Sequence, residues 1–112
     1  MSQPEHRRTE RKPIHLHASV TPLDDGTPIP VETLNLSKRG TLIESKDKLL
    51  PEEVCTFKIV TADARVVQVQ GRVAWVTRQD NGLYRAGVSF RNLSVDEEYW
   101  LELAIARNHS QS

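Results

Sequence analysis

Residues 65–76 read RVVQVQGRVAWV, the longest alternation of apolar and polar side chains in the chain. Val67, Val69, Gly71, Val73 and Trp75 fall on one face, and Gln68, Gln70 and Arg72 on the other. A period of two is that of a half-buried β-strand. The strand runs into RQDNGLY, where Asn81-Gly82 is a hairpin signal because both residues tolerate positive φ. LYRAGVSF, residues 83–90, then returns as the partner strand. Gly71 in mid-strand is costly and marks a bulge or sharp bend, as small barrels need at their corners.

The same period recurs on either side. In PIHLHASVTPL (residues 13–23), Ile14, Leu16, Ala18 and Val20 oppose His15, His17, Ser19 and Thr21. In VCTFKIV (residues 54–60), Cys55, Phe57 and Ile59 alternate with Val54, Thr56, Lys58 and Val60. VETLNLS and GTLIES read as two further short strands broken by SKRG, and KDKLLPEE as a charged connection. Six short strands in about eighty residues, each bounded by turn residues, predict an all-β fold, a six-stranded antiparallel barrel or sandwich. The period then changes. Ser94-Val95-Asp96-Glu97 is a capping-box sequence with acidic residues in the first turn, where the helix dipole favours them. On a helical projection Val95, Tyr99, Trp100, Leu103 and Ala106 form one stripe, suited to packing on the barrel mouth. Leu101 and Ile105 fall on another side, where a small apolar ridge would serve a partner or a weak homodimer. The expected organisation is a flexible N-terminus (1–5) and one domain over 6–108, followed by a tail at 109–112. Within the domain lie an arm at 6–12, a barrel at 13–91 and a helix at 95–107.

Composition narrows the classes. A chain of 112 residues with 38% hydrophobic and 27% charged side chains suits one domain with one modest core. The single cysteine, Cys55, excludes an internal disulfide and fits a reducing compartment. The opening MSQPEH has no apolar signal region, and no apolar run is long enough to span a bilayer. A cytoplasmic protein without membrane insertion is expected. The formal charge is zero, yet HRRTERKP, residues 6–13, gathers Arg7, Arg8, Arg11 and Lys12 against Glu10 alone. The rest of the chain is therefore net acidic. A broadly basic nucleic-acid surface is excluded, and the arm reads as a device for something small and anionic.

A hairpin centred near Asp25-Gly26 makes paired positions sum to about 51, which puts Pro13 near Lys38 and Arg11 near Gly40. The arginines thereby meet NLSKRG, where Asn35 and Ser37 alternate with Leu34 and Leu36 and Gly40 permits a tight turn and close backbone approach. Arg7-x-x-x-Arg11, then Asn35-x-Ser37-x-x-Gly40, resembles the two-part pattern of the PilZ domain family. Pro13 after the arginines and AGVSF ahead of a terminal helix extend the resemblance over roughly residues 5 to 108. It implies a six-stranded antiparallel β-barrel with a C-terminal α-helix, acting as a bacterial receptor for cyclic di-GMP. It also implies ligand contacts from Arg7, Arg11, Asn35, Ser37 and Gly40; Arg8 is added for its position and chemistry. His6 stands where some members carry another arginine, so one or two nucleotides per chain stay open.

The ligand suits these residue types. A guanidinium forks onto phosphate oxygens or onto guanine O6 and N7, and can stack on the base. Asn35 and Ser37 donate and accept at a base edge or a nearby backbone. Trp75 falls on the valine face, which reads as core, and its place near a strand end makes ligand stacking the second reading. Cys55 reads as core. His15 and His17 lack a third ligand, so no metal is expected. No cofactor is expected beyond the ligand itself. With no nucleophile elbow, P-loop or converging carboxylates, the chain is not read as an enzyme. The function expected is a cyclic di-GMP receptor that signals to an unidentified partner protein. The alternative is a PilZ-type adaptor with weak or no nucleotide binding.

Overall fold

The computed structural model describes residues 14–24, 26–61 and 63–109, with residues 108 and 109 described by backbone alone. Six antiparallel strands form a closed barrel: β1 (His17–Pro22), β2 (Ile29–Leu36), β3 (Gly40–Ser45), β4 (Val54–Val60), β5 (Val66–Arg78) and β6 (Tyr84–Arg91). Around the barrel they run β1-β2-β3-β6-β5-β4, and helix α1 (Val95–His109) follows. Closure gives every strand a neighbour on both sides.

The period-two pattern sorts the side chains as expected over most of the sheet. Val20, Phe57, Ile59, Val67, Val69 and Val73 are buried, as are Leu36, Ile43 and Val88. Each such side chain contributes about 1.5–3 kcal/mol by leaving water. Phe57 packs against Phe90 at 5.5 Å between ring centroids, which supplies bulk in an otherwise aliphatic interior. The β5–β6 hairpin closes at the Asn81-Gly82 step: Gly82 has φ +88°, its N–H donates to Gln79 O (3.0 Å), and Asn81 Oδ1 accepts from Leu83 N (3.0 Å).

Four local expectations change. The first hairpin pairs His17 with Glu32 and Val20 with Ile29, two positions from the expected register, because the turn closes early, with Gly26 N donating to Pro22 O (2.8 Å). Gly71 carries no bulge. It faces inward, where a Cβ would lie 2.8 Å from Val88 Cγ1 and 3.2 Å from Ser89 O, so the glycine makes room in the core. The β5 irregularity falls instead between Val73 and Trp75. One extra residue there reverses the facing, so Trp75, on the valine face by sequence, stands outside with 45% of its surface exposed.

The fourth change concerns α1. The helix lies over the mouth formed by the β2–β3 turn and the β4–β5 hairpin, with Leu101 fully buried and Ala104 nearly so. Ile105 packs against the same core. Val95, Tyr99 and Ala106 of the competing stripe are exposed, the first two at 83% and 55%. The ridge expected to face a partner is therefore the one that plugs the barrel. Arg65 over Trp100 (4.8 Å) and Arg107 to Asp63 (2.7 Å) tie α1 to the β4–β5 end. The N-terminus of α1 is closed reciprocally, Glu97 N to Ser94 Oγ (3.1 Å) and Ser94 N to Glu97 Oε1 (3.0 Å).

Candidate ligand-binding face

The turn that joins β2 to β3 is built by Ser37. Its Oγ accepts from Arg39 N (3.1 Å) and Gly40 N (3.2 Å) and donates to Gly40 O (3.3 Å), while Ser37 N donates to the same carbonyl (2.9 Å). Ser37 is consequently buried at 1% exposure, with its hydroxyl spent on the turn. Gly40 is required by space: a Cβ would lie 2.3 Å from Val88 O, on the neighbouring backbone of β6. Phe90 N donates to Arg39 O (2.9 Å) and ties the turn to that strand. Outside the turn, Lys38 Nζ meets Glu102 Oε2 of α1 at 2.8 Å. The hydrogen bond and charge of Glu102 raise the pKa of Lys38 above the usual lysine value.

Asn35 is set by a second irregularity. The β2–β3 register shifts between Thr33 and Asn35, and Asn35 Oδ1 accepts from Leu42 N (3.1 Å), a side chain standing in for a ladder carbonyl. Its backbone carbonyl accepts from Thr41 Oγ1 (2.6 Å). With Oδ1 engaged, the Nδ2 hydrogens remain as donors at the half-buried outer wall.

Pairing carries this position across the sheet. Asn35 is opposite Leu42, Leu42 opposite Gly87, and Gly87 opposite Trp75. The four lie in one outward row over β2, β3, β6 and β5. The indole of Trp75 lies against Gly87, where a Cβ would be 2.4 Å from Nε1 and 2.8 Å from Cε2. Leu42 and Gly87 were not singled out by sequence reading. A glycine within the AGVSF strand was the available signal for a close-packed aromatic.

The root of the basic arm sits beside this row. Thr33 Oγ1 donates to Ile14 O (2.5 Å) and accepts from Leu16 N (2.8 Å), and Thr33 N donates to Leu16 O (3.0 Å). Ile14 is thereby pinned two residues from Asn35 in β2. Arg7, Arg8 and Arg11 lie outside the described residues. Of the other candidates, His15, just before β1, and His17, its first residue, are exposed, and no group of three or more metal-ligating side chains occurs among the described residues. Cys55 is fully buried, and burial, aided by the charge of Glu53, pushes its thiol pKa up to about 11.

A closed six-stranded antiparallel barrel, helix over one mouth and polar turn beside an outward indole, defines the class of this protein. The chain belongs to the PilZ family: the PilZ domain model matches residues 5–107. Its fold is similar to the PilZ domain of YcgR from Escherichia coli, a structure with c-di-GMP, at 15% identity and a TM-score of 0.80 over 96% of this chain and 94% of that one. It is also similar to the Bacillus subtilis inhibitor of motility MotI/DgrA at 15% identity and a TM-score of 0.73, over 96% of this chain and 54% of that one. The PilZ domain of CeSA from a cellulose-synthesizing bacterium matches at 19% identity and a TM-score of 0.66, over 89% of this chain and 99% of that one. No curated protein matches by sequence. No helix among the described residues is long and apolar enough to cross a membrane.

Proposed function

We propose that this chain is a receptor for cyclic di-GMP that passes the signal to a partner protein from the bacterial cytoplasm. The observation that supports it most is the outward row Asn35–Leu42–Gly87–Trp75 beside the Ser37–Gly40 turn. The row offers amide donors at one end and an exposed indole at the other, the two kinds of contact that a guanine nucleotide uses. The arm supplies what the row lacks. Arg11 is three residues before the pinned Ile14 in the sequence, a span of at most roughly 11 Å of extended chain. Arg7, Arg8 and Arg11 would then fork onto the phosphates or the guanine edges, while Asn35 donates from Nδ2 and Trp75 stacks on a base. Ser37 and Gly40 act at the turn: the first holds its shape, and the second lets the turn lie close to β6, so that its outer edge meets the ligand. Ordering of the arm against the barrel changes the surface that a partner meets, provided the ligand discriminates between the two states. No catalytic role is assigned to any residue.

Calorimetric titration of the full chain with cyclic di-GMP, with GTP as control, tests this reading. The expected result is saturable binding with a Kd at or below about 10 μM, roughly −7 kcal/mol, and quenching of Trp75 fluorescence. No heat and no fluorescence change well above that concentration would refute the receptor reading and leave the adaptor.

A further inference from the structure

Two residues along each strand from the Leu42–Gly87–Trp75 row, on the same outer face, lie Glu44, Arg85 and Thr77. They pair across the sheet as Glu44–Arg85 and Arg85–Thr77. At roughly 3.3 Å per residue the two rows are about 7 Å apart, so a base lying on the first row brings one edge to the second. Glu44 is the acceptor on that edge. Its Oε2 meets Arg85 Nε at 3.4 Å, a long single contact and not the two-bond fork of a mutually satisfied arginine and carboxylate. On its other side Glu44 stands directly opposite Glu32, a like-charge pairing that destabilises a sheet. The Glu44 side chain retains only 20% of its exposure. A partly desolvated carboxylate with spare lone pairs and a like charge beside it is poorly served by its own neighbours.

We propose that Glu44 selects guanine. Its two carboxylate oxygens accept the N1–H and the 2-amino group of a guanine lying on Leu42 beside the Trp75 indole, and Arg85 positions the carboxylate from the adjacent strand. Adenine presents a bare N1 acceptor at that edge and has no 2-amino group. It would set a lone pair against the carboxylate and leave both oxygens without donors. The proposal rests on the cyclic di-GMP reading above and adds the base specificity of the same face.

The test titrates the full chain with cyclic di-GMP and with cyclic di-AMP, for the wild type and for Glu44→Ala, Glu44→Gln and Arg85→Ala. Thermal melting of each variant verifies that it is folded. The wild type should prefer the guanine nucleotide by about 100-fold or more. Glu44→Ala should bring the two Kd values within about tenfold of each other, mainly by weakening cyclic di-GMP. Glu44→Gln should do the same, because it keeps the shape but turns an amide N–H toward the guanine N–H groups. Arg85→Ala should weaken binding while retaining the preference. A folded Glu44→Ala variant that keeps the wild-type preference overturns the assignment and leaves the receptor reading intact. A wild type that binds neither nucleotide overturns the receptor reading, and the assignment with it.

Discussion

Substituting Gly40 by alanine tests the geometry on which the candidate face rests. The added Cβ would stand 2.3 Å from Val88 O, 3.3 Å from Val88 C and 3.4 Å from Ser89 Cα. All three are backbone atoms, so no side chain can swing aside. Gly40 pairs with Ser89, and relief requires β3 and β6 to part locally by about 1 Å. Overpacking of this kind costs about 1–3 kcal/mol, and one or two weakened ladder bonds add about 1 kcal/mol each. The reduced entropy of the unfolded chain returns about 0.4–1 kcal/mol. The net loss is about 2–4 kcal/mol, which at about 4–8 °C per kcal/mol lowers Tm by about 8–32 °C. Calorimetric melting measures it. Gly82→Ala is the internal contrast: φ is +88° there but nothing lies within 4 Å, so only the left-handed strain of about 1–2 kcal/mol applies. A Gly40→Ala melting point within about 2 °C of wild type, or above that of Gly82→Ala, would refute the close approach of turn and strand.

Further outcomes follow from the same structure. Leu101→Ala should cost about 2–5 kcal/mol in chemical denaturation, while Val95→Gln on the exposed stripe stays within about 0.5 kcal/mol; equal effects would contradict the docking of α1. Arg11→Ala should weaken cyclic di-GMP binding by about 2–5 kcal/mol in calorimetry and Arg7→Ala by less, since Arg11 is nearer the pinned root of the arm. The Cys55 thiol is raised from 9.0 to about 11, so the folded state holds its proton more tightly than the unfolded state. That contribution is complete below pH 9 and is lost as pH rises from 9 to about 11, by about 2–3 kcal/mol. Comparing the melting of wild type and Cys55→Val across that range isolates it, and parallel pH profiles would refute it.

Elements and turns were legible because their causes are local. Ser94 and Glu97 specify the helix start through two hydrogen bonds three residues apart, and Asn81-Gly82 specifies a hairpin by its own backbone freedom. The family's pattern, Asn35-x-Ser37-x-x-Gly40, was also readable in chain order, although the turn gives Ser37 a buried structural post. Its hydroxyl proved to be the internal brace of the motif, a role that the spacing of polar residues does not distinguish from ligand contact.

By itself the sequence determined the all-β class, the positions of the strands, the capped helix and the Ser37–Gly40 turn that follows Asn35. Each depends on neighbours within a few residues, so side-chain period and cap chemistry carry the information. Only the tertiary structure decided the facing of Trp75, because one inserted residue after Val73 reverses a period-two pattern without altering its composition. It also decided which stripe of α1 plugs the barrel, since two apolar stripes competed and only packing against the barrel core buries Leu101. The row that joins Asn35 to Trp75 exists only through three strand pairings in a closed sheet. Such pairings are non-local: they depend on bulges and closure, which no single stretch of chain encodes.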